Sequence, residues 1–307
     1  MIGAGYLGRF HAQKYASEPL SQLVGVVDPR EPARAALAAE LGTQAFADHR
    51  ELLGKVDAVS VVTTTPAHYE IARAFLDSGA HVLVEKPITE TVEQAAALIE
   101  VAARRGRVLQ VGHLERFNPA VLAAEPFLQG ARFIECQRLA PFKERGTDVN
   151  VVLDLMIHDI DIVQSIVGRP VELIDAVGTP VFSGAVDIAN ARLRFAGGCV
   201  ANVTASRVSL KTERKLRVFR DDSYVSIDLQ QRILTVIGKR DVPLSVGELP
   251  VTISESNFEQ GDALRAEIRS FLECIHHGKA PLVSGEDGMR ALDTAIRITA
   301  LLSAQQA

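Results

Sequence analysis

The sequence has no tryptophan, and aromatic residues fill 5% of its 307 positions. Surfaces for single-stranded nucleic acid need aromatic platforms on which bases stack, and here they are scarce. Positive charge is not in excess either, since 33 Lys and Arg face 38 Asp and Glu for a net charge of −5. A duplex-binding surface works by releasing counterions from a basic face, so nucleic acid is not an expected partner. Cysteine is limited to Cys136, Cys199 and Cys274. The number is odd, the spacings are wide and no Cys-x-x-Cys pair occurs. That argues against a disulfide framework and a zinc knuckle, and for three thiols in a reducing cytoplasm. No apolar run approaches the roughly 18 residues of a membrane helix, and no signal peptide precedes the first motif. A cytoplasmic protein with no membrane partner is the expectation.

At about 150 residues per domain, the length suggests two domains. Residues 1–115 alternate short apolar runs with helical spacings. Strands are expected at Leu23–Asp28, Ala58–Thr63, His81–Val84 and Val108–Val111, and helices at Glu31–Leu41, His68–Ser78 and Thr91–Arg105. That rhythm predicts a parallel sheet covered on both faces. After Gly112 the pattern becomes a series of strands joined by short turns: 131–139, 171–178, 187–195, 199–207, 215–219, 223–229 and 233–237. In 187–195, Ala189, Ala191, Leu193 and Phe195 alternate with Ile188, Asn190, Arg192 and Arg194, which predicts a half-covered antiparallel sheet. Helices near 151–167, 259–277 and 286–304 are expected to cover it. The expected fold is therefore α/β, an N-terminal dinucleotide-binding Rossmann domain over 1–115 and an α+β domain with an open, mostly antiparallel sheet over 116–307.

Gly3, Gly5 and Gly8 form GxGxxG ahead of a helical stretch, and Asp28 follows 20 residues after Gly8 at a strand end. In that context Gly3 permits the tight turn, Gly5 the approach of a pyrophosphate and Gly8 close helix–strand packing. The helix start at Tyr6 and Leu7 offers N–H groups to the phosphates. Asp28 is placed to accept from ribose hydroxyls and to repel a 2′-phosphate, which favours NAD over NADP, although Arg30 lies close by. Only Met1 and Ile2 precede Gly3, where the fold's central first strand normally runs about 5–6 residues. Its loss would strip ladder partners from both neighbours. A start site assigned too late, or a fragment, is expected, together with poor retention of cofactor by a chain that begins here.

Two segments follow strand carboxyl ends, where open α/β sheets bind ligands: Thr63-Thr64-Thr65-Pro66-Ala67-His68 and Glu85-Lys86-Pro87. Pro87 confines Lys86 to an extended backbone. Desolvated beside a cationic ring, Lys86 would release its proton more readily and act as a base toward a sugar hydroxyl. The competing reading is a solvated surface charge. Downstream, Asp154, His158 and Asp161 share one face of a helix. A carboxylate one turn from a His fixes its tautomer and raises its basicity. A second base, two ligands of a metal site, or a capping Asp beside a half-buried His all remain open, and no third and fourth metal ligand is evident. Arg116, Arg138, Lys143 and Arg145 fall between these motifs. They are either a grip for a second anionic group such as a nucleotide pyrophosphate or solubilising charges.

Together these residues resemble the glucose–fructose oxidoreductase / inositol dehydrogenase / rhizopine catabolism (Gfo/Idh/MocA) family over nearly the whole chain. The matching features are GxGxxG at Gly3–Gly8, Asp28, the TP-x-H segment at Pro66–His68, EKP at Glu85–Pro87 and D-x-x-x-H at Asp154–His158. The resemblance implies a catalytic Lys86 assisted by His158 and Asp154. It implies a cofactor site that includes Gly3, Gly5, Tyr6, Leu7, Gly8, Asp28, Thr64, Pro66, His68, Glu85 and Lys86, with NAD bound and no metal. It also implies a homodimer or homotetramer formed through the second-domain sheet. The GHLERFNPA stretch and the sequence Arg145-Gly146-Thr147-Asp148-Val149-Asn150 resemble a subgroup tied to lipid A sugar synthesis, whose members oxidise the 3-hydroxyl of UDP-N-acetylglucosamine. On that resemblance the substrate site involves Lys86, Arg116, Asn118, Arg138, Arg145 and His158. A free aldose or inositol is the second expected substrate class, and a dinucleotide-dependent regulator without turnover is the third reading.

Overall fold

The computed structural model describes residues 1–143, 149–240 and 250–306. The chain begins with α1 (Tyr6–Ser17), β1 (Gly25–Val27), α2 (Glu31–Leu41), β2 (Gln44–Phe46), β3 (Ala58–Val61), α3 (Thr65–Asp77), β4 (His81–Glu85), α4 (Val92–Arg105) and β5 (Leu109–Gly112). A 3-10 turn (Leu114–Phe117) leads to α5 (Pro119–Leu128) and β6 (Phe133–Leu139). After a π-helical turn (Val152–Met156) come α6 (Ile157–Val167), β7 (Val171–Thr179), β8 (Ile188–Phe195), β9 (Val200–Ser206) and β10 (Glu213–Phe219). Then follow β11 (Ser223–Asp228), β12 (Ile233–Lys239), β13 (Val251–Asn257), α7 (Ala263–His277) and α8 (Gly285–Gln306). No helix among the described residues is long and apolar enough to cross a membrane.

By their contacts these elements form two units. The first comprises Met1–Phe117 with Asp262–Leu292, and the second Asn118–Gly261 with Asp293–Ala307. The junction near 117 lies close to the expected boundary. The return of Asp262–Leu292 to the first unit departs from the expected division at 115/116, and its cause is local. Ile268, Phe271 and Leu272 of α7 pack on Tyr15 and Leu83. Ser284 bridges Gln110 on β5, and Val111 N–H donates to Val283 O at 3.1 Å. The helix near 259–277 thus covers the parallel sheet, not the antiparallel one.

In the first unit β1 pairs with β2, and β3, β4 and β5 pair in that order, all parallel. The short N-terminal stretch joins the two sets, with Ile2 bridging Val27 on one side and Val61 on the other. Two residues therefore supply the central pairing that the sequence left in doubt. The helices carry their own start and stop signals. Thr91 and Gln94 form a capping box at the start of α4, and Gly106, at φ +62°, closes it in a conformation that costs other residues energy.

The second unit is an open eight-stranded sheet in the order β13-β12-β11-β10-β6-β9-β8-β7. Every neighbouring pair is antiparallel except β6 with β9, which run parallel in register from Phe133↔Val200 to Leu139↔Ser206. A parallel pair needs a long crossover, and α6, β7 and β8 provide it. The β8 alternation holds: Ala189, Ala191, Leu193 and Phe195 are buried. The opposite face carries cross-strand polar pairs, Asn190 to Thr204 at 2.7 Å and Arg192 to Asn202 at 3.1 Å.

A buried charge pins the segment between β7 and β8. Asp187 accepts from the N–H groups of Val181, Phe182 and Ser183, from Ser183 Oγ and from Arg207 Nε. Arg207 in turn donates to Val149 O at 2.6 Å. Burial alone would push the Asp187 carboxyl up, but these donors outweigh it and hold the group far below its ordinary value of 3.8. A carboxyl so depressed adds stability above that ordinary value and loses it as pH falls below. Asp187→Asn should cost about 3–5 kcal/mol at neutral pH, because it takes the carboxylate away from a buried guanidinium. Urea unfolding should also show the gap between parent and variant closing as pH drops below 4.

Candidate active site

The turn from the N-terminal stretch into α1 has the geometry that a dinucleotide needs. Gly3 has φ +96°, and a Cβ there would meet Val62 O at 2.4 Å. A Cβ on Gly8 would fall 1.9 Å from Gly3 O, so helix and turn touch through bare backbone. A Cβ on Gly5 would meet nothing within 4 Å. Protein does not fill the space above Gly5, which lies at the N-terminus of α1, beside Tyr6 and Leu7. Helix geometry presents N–H groups and a positive dipole end to an anion there. These residues fit a pyrophosphate.

Asp28 follows β1 and is 4% exposed. One oxygen accepts from Ala4 N–H at 2.8 Å, which ties it to the glycine turn. Arg30 grips both oxygens, Nε at 3.0 Å and Nη2 at 3.0 Å. Burial pushes the Asp28 carboxyl up, but the Arg30 and Ala4 hydrogen bonds prevail and leave it below the ordinary carboxylate value. The arginine that sequence reading set against Asp28 is thus its ion-pair partner.

Thr64 is exposed at the start of α3 and Pro66 lies in the first turn. His68 is 1% exposed, with Nδ1 2.9 Å from Pro87 O and Nε2 3.1 Å from Thr63 O. Desolvation lowers its proton affinity against the pull of those carbonyls. It staples α3 to the segment after β4 and so orders that strand end from behind; a surface contact to cofactor is not what its burial provides. Glu85 closes β4, and Lys86 follows half-buried, joined to Pro87 by a cis peptide bond. Lys86, the glycine turn, Asp28 and Thr64 all lie in the first unit, at or just beyond the carboxyl ends of parallel strands or at the turn that begins the unit.

Asp154 and His158 belong to the second unit, and both are half-buried. The expected continuous α-helix is not what carries them. Asp154 lies in the π-helical turn and His158 in α6. Asn150 starts the turn by accepting from the N–H groups of Val152 and Leu153. Asp161 faces inward and is buried. Asp159, which sequence reading passed over, is buried with Arg138, and the two exchange a bidentate pair at 2.8 Å and 2.8 Å. Arg138 is 3% exposed. Expected to grip substrate, it links β6 to α6 inside the unit. The pair spans 21 residues, so no local pattern announces it. Asn118, also expected at the substrate, has a structural place too. It caps α5 by accepting from Ala120 N–H and donates to Leu229 O, buried throughout. Arg116 is half-buried and donates to Leu282 O at 3.2 Å. Lys143 is exposed, and Arg145 lies outside the described residues.

A family model described as "Oxidoreductase family, NAD-binding Rossmann fold" matches residues 1–113, and the C-terminal domain model of the same family matches 133–225. The chain belongs to the Gfo/Idh/MocA oxidoreductase family. Its first unit is a Rossmann fold for NAD, and it is an enzyme of the dehydrogenase class. Among members of this family, the UDP-N-acetylglucosamine 3-dehydrogenase of Acidithiobacillus ferrooxidans is 40% identical over 307 residues, covering 99% of this chain and 96% of that one. A crystal structure of that Acidithiobacillus enzyme superposes with a TM-score of 0.93 at 39% identity, again over 99% and 96% of the two chains. The scyllo-inositol 2-dehydrogenase (NAD(+)) of Bacillus subtilis is 27% identical over 320 residues, covering 97% and 92%.

The three glycines make a sharp test. Gly5→Ser should fold with undiminished thermal stability, since its Cβ is unobstructed and Ser is a good helix cap. It should bind NAD more weakly by titration, because the hydroxymethyl group occupies the phosphate position. Gly8→Ala should instead lower the melting temperature, because its methyl group meets the Gly3 backbone.

Proposed function

We propose that this chain is an NAD-dependent dehydrogenase that oxidises the 3-hydroxyl of UDP-N-acetylglucosamine or a closely related UDP-amino sugar. The observation that carries this reading is the 40% identity, over 99% of the chain, to an enzyme of that name. When bound, NAD supplies the hydride acceptor. Lys86 takes the proton from the substrate hydroxyl, and its place just after a parallel strand supports that role. His158, oriented by Asp154, assists the proton transfer. Thr64 and Pro66 line the cofactor, and Asp28 receives the ribose hydroxyls once Arg30 yields part of its grip. Arg116 and Lys143 hold the diphosphate of the sugar nucleotide, and Arg145 is assigned with them from the sequence.

The 3-keto product suits a following aminotransfer in lipid A sugar synthesis, carried out in the cytoplasm. The protein works as a homodimer or homotetramer through the polar face of the eight-stranded sheet. Much of the substrate affinity then comes from the nucleotide, remote from the reacting carbon, and serves to place the 3-hydroxyl.

Two measurements test this. Lys86→Met should lower kcat by roughly 10²–10⁴-fold, the range for loss of a positioned base, while NAD binding by titration stays near the parent. Turnover close to the parental rate would remove Lys86 from the mechanism. Separately, UDP-N-acetylglucosamine should support NADH formation, and free N-acetylglucosamine or an inositol should not. Equal rates with a free polyol would overturn the nucleotide-sugar reading and leave the family unaffected.

A further inference from the structure

A buried polar cluster of the first unit lies against the segment that carries Lys86. Glu85 pairs with Gly112 across β4 and β5. A Cβ on Gly112 would come within 2.9 Å of the Glu85 carboxyl carbon, so glycine there makes room for that group. One Glu85 oxygen lies 3.1 Å from His11 Nε2, and the other accepts from the Lys86 N–H at 3.3 Å. His11 comes from α1 and Glu267 from α7, and both are fully buried. A ligand atom from each of the three residues lies within 4.8 Å of the others. Neither carboxyl oxygen of Glu267, nor His11 Nδ1, has a hydrogen-bond partner among the described residues.

We propose that Glu267 is a positioning residue for Lys86: with His11 it packs against the Glu85 carboxyl, and Glu85 holds the Lys86 N–H at the end of β4. The inference rests on the reading of Lys86 as the base. Two carboxyls this close, one of them fully buried, do not both stay ionised. Burial and the neighbouring Glu85 push the Glu267 carboxyl well above its ordinary range, so Glu267 is the one that keeps its proton. The titratable and polar groups around it are His11 and Tyr15 on α1, Glu85 on β4 and Gln110 on β5, and the 3-10 turn that carries Glu115 and Arg116 packs against α7. Tyr15 is itself bonded to Ser60 at 2.7 Å, and Gln110 Nε2 donates to the Glu267 backbone carbonyl at 3.2 Å. These two bonds fix α1 and α7 at the level of the cluster. A neutral Glu267 places no second charge beside Glu85, which stays an acceptor for the Lys86 N–H.

The test compares Glu267→Gln and Glu267→Leu with the parent, as NAD-loaded enzyme, with rates expressed per NAD-binding site. Glu267→Gln is neutral and of the same shape, and should keep the parental kcat and pH profile. Glu267→Leu should lower kcat roughly 10- to 100-fold, the scale of misplacing a reacting group by about 1 Å. It should also shift the pH profile of kcat and leave KM for NAD unchanged. A parental kcat and pH profile in the Leu variant would overturn the proposal. Equal losses in both variants would do so too, by requiring an ionised carboxylate. One equivalent of divalent metal held by the parent and lost from the Gln variant would make the cluster a metal site instead. Should Glu267→Leu fail to fold, the infrared difference between parent and Glu267→Gln at neutral pH decides: a protonated-carboxyl band supports the proposal and its absence overturns it. Full turnover by Lys86→Met would strike the underlying reading of the base, and is distinct from a failure confined to the Glu267 variants.

Discussion

Ile2 is hydrogen-bonded on both sides. Its N–H donates to Ser60 O, and its carbonyl accepts from Val62 N–H. On the other flank Val27 N–H donates to Met1 O, and Gly3 N–H to Val27 O. Without these bonds the first unit's strands would be two separate sheets, one of two strands and one of three. With them, all the strands run parallel, and parallel strands end together. That single constraint gathers the glycine turn, Asp28, Thr63–His68 and Glu85–Pro87 along one edge, although Gly3 and Pro87 lie 84 positions apart. Chemistry at that edge follows from the pairing of a three-residue stretch.

The second unit is organised around charge where the first relies on glycine. Arg138 with Asp159 and Arg207 with Asp187 are buried ion pairs, each with a side chain almost closed to water. Such pairs add little net stability over apolar substitutes, but breaking one is costly. The first ties α6 to the sheet, and the second ties the β7–β8 connection to it. The unit thus fixes the backbone around Asp154 and His158 through groups that take no direct part in the chemistry proposed for them.

Much of this was legible in the residues. Periodicity marked α2, α4 and the β8 alternation almost to the residue, because a half-covered sheet or helix must separate polar from apolar side chains. The glycine turn, Asp28 and the Glu85-Lys86-Pro87 segment were legible because each motif sits at a strand end. Other features were hidden for a physical reason. The Arg138–Asp159 pair, the cap made by Asn118 and the cluster of His11, Glu85 and Glu267 depend on residues far apart in the chain, and a side chain's type does not say whether it faces substrate or core. β2 and β13 escaped because one is three residues long and the other is mostly exposed, so neither carries a strong apolar signal. The parallel β6–β9 pair was invisible for a similar reason, since strand direction depends on the connection and not on composition.

The first unit takes its last pieces from Asp262–Leu292, and this bears on how the chain is made. Domains generally fold as they leave the ribosome, beginning at the amino end. Here the first 117 residues emerge with Tyr15 and Leu83 lacking the Ile268, Phe271 and Leu272 that cover them, and with His11 and Glu85 open to water. The intervening unit is synthesised before α7 appears. The nascent Rossmann sheet therefore keeps one apolar flank uncovered until residues 118–261 have been made.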